Sequence, residues 1–270
     1  MRKGMTLDMI QRLEDMNTFF VVGHRGYKAA YPENTLLSFR KAIELGIDVI
    51  EFDLRLSKDG VLMVIHDVRV DRTTNGSGNV SDLTHAELKQ LDAGGWFDKV
   101  FEGLKVPTFE ELCEMLAAYP DILLNVEIKP DARAIEATDA AIAMLKKYGY
   151  QQRCVLTSFD AKVVAHVHDT SQLKAQGFPG EKMLNFVPGE DGTYSKMWGI
   201  GIALDQLTSE GVQKFRNMGL YIGSYCPDKE EQVRYVISCG INRVTVNNPL
   251  PALEVRQQIR SQGSAGSLLT

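Results

Sequence analysis

The sequence predicts an α/β fold of the closed (β/α)8 barrel type, and three observations carry that prediction. Apolar runs of strand length alternate with amphipathic stretches of helical period along the chain, which implies a parallel sheet with helical crossovers. About eight such units fit in the 270 residues, the size of a closed eight-stranded barrel. No GxGxxG or P-loop follows any apolar run, which disfavours a doubly wound nucleotide-binding sheet as the alternative.

Taken in order, Leu7, Ile10, Leu13 and Met16 recur at helical spacing and predict a short helix over 7–16. Phe19–Gly23 is a buried strand, and Thr35–Leu45 a helix entered through Asn34 or Thr35 as cap. Asp48–Leu54 and Val61–His66 are strands joined through Ser57-Lys58-Asp59-Gly60, whose Asp-Gly pair signals a two-residue hairpin turn. That turn would set Asp53 directly opposite His66. A longer loop would shift the register by a residue or two and still leave His66 beside Asp53. Leu83–Leu91 and Thr108–Tyr119 read as helices, Ile122–Ile128 as a strand and Ala132–Tyr148 as a long helix. There follow strand Arg153–Thr157, helix Ala161–His168, strand Leu173–Gly177, strand Gly201–Leu204, helix Ser209–Met218, strand Leu220–Ser224, helix Lys229–Ser238 and strand Arg243–Val246. Residues 69–107 form a Gly-, Asn- and Thr-rich insertion, and 178–199 a Gly- and Pro-rich stretch without clear strand character. The organisation expected is one barrel domain over 1–260, followed by a flexible tail over 261–270.

Composition narrows the function. Thirty basic against thirty-five acidic residues give a formal charge of −5, which excludes a binder whose affinity for nucleic acid rests on a basic face. Four cysteines, Cys113, Cys154, Cys226 and Cys239, show no metal-ligand spacing and are expected as reduced thiols. Asp8, Arg12, Glu14 and Asp15 interrupt the start of the chain, so no signal peptide is expected there. No apolar run reaches the ~20 residues of a membrane helix. A cytoplasmic protein without a membrane span is the expectation; the oligomeric state stays open.

The chemistry concentrates between Val21 and Asp67, where polar pairs end apolar runs. Glu51 and Asp53, two apart on a strand, project to one face, and so do Glu127 and Lys129. Carboxylates on strands flanked by Ile50, Phe52 and Leu54 need partners. Two readings stand: a hard divalent cation with oxygen ligands, or ion pairs with Arg25, Arg55 and Lys129. His24 and His66 are placed at strand ends beside this cluster, where imidazole can serve as general acid or base. His85 falls in the insertion, and His166 and His168 on a helix. Arg25 offers a planar fork for phosphate oxygens, and Lys129 a point charge.

These residues and their order resemble the glycerophosphodiester phosphodiesterase family. The resemblance rests on His24-Arg25-Gly26, Pro32-Glu33-Asn34-Thr35, Glu51-Phe52-Asp53, Asp59-Gly60, His66-Asp67 and Arg72-Thr73-Thr74. It continues through Gly95-Trp96-Phe97, Pro107-Thr108-Phe109-Glu110-Glu111, Glu127-Ile128-Lys129 and Ser158-Phe159. It implies a TIM barrel with the 69–107 insertion roofing the active site. It also implies a divalent cation, Mg²⁺ or Ca²⁺, on Glu51, Asp53 and Glu127, with His24 and His66 as catalytic acid–base pair and Arg25 and Lys129 on the phosphate. In the implied reaction a glycerol hydroxyl attacks phosphorus, and water then opens the cyclic phosphate to give an alcohol and glycerol 3-phosphate. A lyase that stops at the cyclic phosphate and a non-catalytic barrel binding a phosphorylated metabolite are the alternatives. Trp96, Phe97, Ser158 and Tyr225 are candidates for the substrate pocket. Glu33 is expected to favour the start of the helix by its charge, with orientation of a histidine or Arg25 as the other reading.

The second half departs from the family pattern. Ser224-Tyr225-Cys226-Pro227 stands where a Trp-Thr-Val-Asn-like run is usual, and Val246-Asn247-Asn248-Pro249 where Thr-Asp precedes the proline. Both departures are expected at strand ends lining the pocket, clear of the metal ligands and histidines, so that they bear on the preferred alcohol.

Overall fold

The strands are β1 (Phe20–His24), β2 (Val49–Leu56), β3 (Leu62–Val64), β4 (Leu123–Ile128), β5 (Cys154–Thr157), β6 (Lys174–Gly177), β7 (Gly199–Ala203), β8 (Tyr221–Tyr225) and β9 (Arg243–Val246). Eight of them pair in parallel in the order β1-β9-β8-β7-β6-β5-β4-β2, and the β1–β2 pairing closes the ring. β3 lies outside the ring as the antiparallel hairpin partner of β2. The computed structural model describes residues 9–262. The helices between strands are α1 (Leu36–Glu44), α2 (His85–Gln90), α3 (Phe109–Leu116), α4 (Ala134–Lys147), α5 (Ala161–Thr170), α6 (Ser209–Asn217) and α7 (Glu230–Ser238), and α8 (Pro249–Gln262) follows β9.

Local chemistry explains the helix starts. Thr35 caps α1, its hydroxyl accepting from the Ser38 amide. Thr108 and Glu111 form a reciprocal capping box on α3, so the Pro-Thr-Phe-Glu-Glu motif is at least in part a helix-start signal. α8 has no counterpart in the sequence reading, which ended at Val246. Pro249 and Pro251 look like stops, yet in a first turn a missing N–H costs nothing. Ala252 and Val255 then bury completely. The helix runs through Gln262, past the tail boundary drawn at 261; residues 263–270 of that tail lie outside those described. The short helix expected over 7–16 is a 3-10 helix over Met9–Glu14, with Leu7 outside the described residues.

The hairpin corrects the expected register. Leu54 faces Val64 and Leu56 faces Leu62, so Asp53 falls opposite Ile65 and not His66. The loop holds three residues because Ser57 pairs with Val61, the Ser57 hydroxyl donates to Asp59, and Gly60 takes a φ of +81°. His66 stays near Asp53 from just beyond the strand.

The core has two layers. Outside the ring, Phe52 of β2 lies between Phe39 of α1 and Phe109 of α3, with ring centroids 6.0 and 5.4 Å away. Inside, Ile10 and Leu13 of the 3-10 helix pack with Phe20, Val22, Val49, Leu123 and Val155, closing the N-terminal end of the barrel. The insertion has its own small core of Val70, Val80, Leu88, Ala93 and Val106 beneath Met63 and Ile65. Because Phe52 is fully buried and holds the strand that carries Glu51 and Asp53, Phe52→Ala is expected to cost about 3–5 kcal/mol. Urea denaturation followed by circular dichroism measures this, and a loss below 1 kcal/mol would contradict the packing.

Candidate active site

The C-terminal ends of the strands bring the predicted cluster together. His24, Arg25, Glu51, His66, Glu127, Lys129 and Tyr225 line one cavity of about 180 Å³, and Asp53 lies buried beside them. Parity on β2 does the first part of this work: Glu51 and Asp53 point inward while Phe52 points out. β4 delivers Glu127 in direct register with Asp53.

One oxygen from each of Glu51, Asp53 and Glu127 lies within 4.8 Å of the others. Glu51 Oε1 and Asp53 Oδ1 are buried without a hydrogen-bond partner. Orphan carboxylate oxygens facing one another fit the oxygen-ligand demand of a hard divalent cation. Burial, with Asp53 and Glu127 beside it, raises the Glu51 carboxyl well above its ordinary range. Burial raises Asp53 too, but the charges of Arg25 and Lys129 outweigh it and hold that carboxyl low.

The ion-pair reading therefore holds for two of its three cations. Arg25 Nε lies 3.2 Å from Asp53 Oδ2, and Lys129 bonds Glu127 and stands 3.5 Å from Asp53 Oδ1. Arg55 goes elsewhere: it donates to the His66 carbonyl and pairs with Asp131. The Arg25 loop is strained into place, with Arg25 itself at φ 55° and Gly26 at φ 86°. A Cβ on Gly26 would sit 2.6 Å from the Ser38 carbonyl carbon, so only glycine lets this loop lie against α1. The conformation turns the Arg25 amide onto Glu51 Oε2 at 2.9 Å.

Glu33 corrects the helix-start reading. Arg25 Nη1 donates to it at 2.8 Å and Arg72 reaches it with two nitrogens, so Glu33 orients the site arginine. Burial pushes its carboxyl up, but the bonds and charges of Arg72 and Arg25 prevail and bring it down to about 2. Arg72 also holds Asp67, whose Oδ1 lies 2.6 Å from His66 Nδ1. Through Arg72 the insertion is fastened to the rim of the cavity.

The two histidines differ in what stands behind them. His24 Nδ1 lies 2.7 Å from Asn247 Oδ1, and the Asn247 amide donates to Asp228. The carboxamide oxygen fixes Nδ1 as the protonated nitrogen and leaves Nε2 free, 3.9 Å from Glu51. Burial, reinforced by Lys28 and Arg25, pushes the His24 pKa down to about 3. Burial also lowers His66, with Lys129 and Arg25 adding to the shift and Asp53 and Asp67 opposing it. The expectation that the second-half departures stay clear of the histidines is overturned. Asn247 bonds His24, and Cys226 Sγ lies 3.6 Å from the same nitrogen. Sequence reasoning missed Asp228, and the contact of Asn247 with His24, because they act at loop ends 204 and 223 positions from His24 with no local pattern to mark them.

Other pocket candidates separate. Tyr225 lines the cavity, 5.8 Å from the Phe178 ring that stacks on Phe159. Ser158 is buried away from it, its hydroxyl donating to the Ile128 carbonyl. Trp96 and Phe97 meet edge to face within the insertion, and the Trp96 indole donates to the Ala93 carbonyl. Neither lines the cavity. None of the four cysteines is in a disulfide, and among the described residues no helix is long and apolar enough to cross a membrane.

Known proteins were compared with this arrangement. The chain is 32% identical over 230 residues to a glycerophosphodiester phosphodiesterase of Caldanaerobacter subterraneus, covering 85% of this chain and 94% of the relative. A Bacillus subtilis protein of the same name is 32% identical over 84% of this chain and 83% of its own length. Among solved structures, an Oleispira antarctica phosphodiesterase in complex with the product sn-glycerol-3-phosphate superposes with a TM-score of 0.78 at 25% identity, over 88% of this chain and 96% of that one. An Agrobacterium tumefaciens glycerophosphodiester phosphodiesterase gives 0.74 at 27% identity, over 87% and 98%. The profile of the glycerophosphoryl diester phosphodiesterase family matches residues 24–250, from the first site histidine to the start of the last helix, and the chain belongs to that family.

Proposed function

We propose that the chain hydrolyses glycerophosphodiesters to an alcohol and glycerol 3-phosphate, with a neighbouring glycerol hydroxyl attacking phosphorus and water opening the cyclic phosphate. The observation that carries this reading is the one cavity lined by two histidines, two cations and the carboxylates Glu51 and Glu127, with Asp53 buried beside them in the same cluster. The Oleispira antarctica relative with its bound product supports the substrate class.

The residues divide the work. Arg25, steered by Glu33, and Lys129 hold the nonbridging phosphate oxygens. His24, neutral and presenting Nε2, accepts the proton of the attacking hydroxyl, and the anionic diester beside it opposes the downward push on its pKa. His66, backed by the Asp67 carboxylate, holds a proton and gives it to the departing alcohol. Opening of the cyclic phosphate by water reverses the two roles. A divalent cation, Mg²⁺ or Ca²⁺, on Glu51, Asp53 and Glu127 would add positive charge where negative charge grows on phosphate. Four cysteines without a disulfide support a cytoplasmic setting.

Turnover of a glycerophosphodiester panel, with products resolved and with or without chelator, tests the reaction. Release of glycerol 3-phosphate is expected, abolished by chelator. His24→Ala and His66→Ala are each expected to lower kcat by roughly 10²- to 10⁴-fold while thermal melting shows them folded. Persistent cyclic phosphate would move the chain to lyase chemistry.

The carboxylate cluster makes a second prediction. Because the folded-state pKa of Glu51 is raised, the metal-free protein is stabilised least where that group must ionise. Its stability falls as pH rises from the ordinary glutamate range through the raised value. Saturating Mg²⁺ or Ca²⁺ is expected to raise Tm and to bind more tightly at higher pH, since the Glu51 proton must leave. Glu51→Gln removes the Tm increase. Calorimetric titration in buffers of different ionisation enthalpy reads the proton release, and binding without it would contradict the assignment.

A further inference from the structure

Beneath the carboxylates the cavity continues into the barrel, where Asn125, Gln176, Gly201, Gly223 and Arg243 line it. An eight-stranded ring ordinarily fills its interior with layers of side chains. Here Gly201 and Gly223 sit directly opposite each other in the β7–β8 register and leave that layer open. Arg243, at the start of β9, lies in the space beside Gly223, and the Phe178 ring lies beside Gly201. A Cβ on Gly223 would come 2.8 Å from the Arg243 Nε, and a Cβ on Gly201 3.0 Å from the Phe178 ring.

Arg243 is only 6% exposed. Its Nη2 donates to Gln176 Oε1 at 2.7 Å, and its guanidinium lies 5.2 Å from the centre of the Trp198 ring. Among the described residues no carboxylate pairs with it, and burial alone pushes its pKa down to about 10. Arg25, Arg55 and Lys129 all have acidic partners, and buried Arg153, which has none, donates to the carbonyls of Leu116, Tyr119, Pro120 and Ile122; Arg243 has one amide oxygen. A guanidinium carries five N–H donors, and a buried cation without a counter-charge is costly. An anionic group entering the well would offset that cost.

We propose that the well receives the head group of the diester, and that Arg243 with Gln176 selects head groups ending in a carboxylate. This rests on the phosphodiesterase reading above. The glycerol arm must keep its hydroxyl beside phosphorus and a histidine, and it carries no charge to set against Arg243. The head group has no such tether, and it is the part whose charge differs between diesters.

Glycerophosphoserine and glycerophosphoethanolamine differ by one carboxylate and form the test pair. Wild-type kcat/KM is expected to favour the serine diester at least tenfold, and the ratio is expected to fall to about one in Arg243→Met, with partial recovery in Arg243→Lys. Should Arg243→Met fail to fold, Gln176→Glu sets a carboxylate against the guanidinium and is expected to collapse the ratio in the same way. Ligand-induced change in Tm is read in parallel: the serine diester should stabilise wild type more than the ethanolamine diester, and not the Met variant. A wild-type ratio near one, or a preference that survives both substitutions, overturns the proposal. Equal losses on both diesters do so too, since they mark Arg243 as structural. Absence of turnover with the stabilisation preference intact faults the reaction and leaves the well standing.

Discussion

The structure depends on holding three carboxylates inside a barrel. Such groups are costly to bury, and every neighbouring element answers that cost. Strand β2 sets the problem through its alternation. Phe52 faces the helices and anchors the strand in the outer core, which fixes Glu51 and Asp53 on the inner face with no freedom to turn away. The same packing that stabilises the fold therefore concentrates the negative charge. Arg25 and Lys129 offset part of it, and two orphan oxygens keep a place for a cation.

From that cluster a chain of charge runs outward to the insertion. Asp53 meets Arg25, Arg25 meets Glu33, Glu33 meets Arg72, Arg72 meets Asp67, and Asp67 meets His66. The chain begins at a buried carboxylate and ends on a histidine lining the same cavity. Signs alternate along it, so each group stabilises the ionised form of the next. This gives the insertion a role that its aromatic residues do not have: Arg72, and not Trp96 or Phe97, connects it to the chemistry.

How much was legible follows from the range of each signal. Period-two alternation is local, so the inward pair on β2 and the Glu127–Lys129 pair could be read directly. The β-turn chemistry was half legible. Asp59-Gly60 marked the hairpin, but the bond from the Ser57 hydroxyl to Asp59 lengthened the loop and slid the register by one. The sequence leaves the role of Glu33 between a helix start and the orientation of Arg25, because Arg72, the second arginine that fixes it, lies 39 positions away. Asn247 was noticed only as a departure from a pattern. Its contact with His24 exists because β9 closes the ring against β1, a pairing that sequence spacing does not encode. Helix α8 was hidden by its own prolines, which fit a first turn and nowhere later.

Arg243 shows the limit most sharply. In the run Asn242-Arg243-Val244-Thr245-Val246 it looks like the exposed start of a strand. Its burial requires a glycine, Gly223, on β8, and the closed ring to carry β9 past it. No property of any one segment contains that arrangement. The consequence is electrostatic: the negative cluster near the mouth is matched by cations held in pairs, while the one buried guanidinium deeper in the cavity has only an amide oxygen and an aromatic ring. Charge in this barrel is thus partly paired at the carboxylate cluster and unpaired at Arg243. An interior that tolerates an unpaired cation beside open space is better explained by a ligand that completes it than by packing, because packing alone would have been served by an apolar side chain at that position.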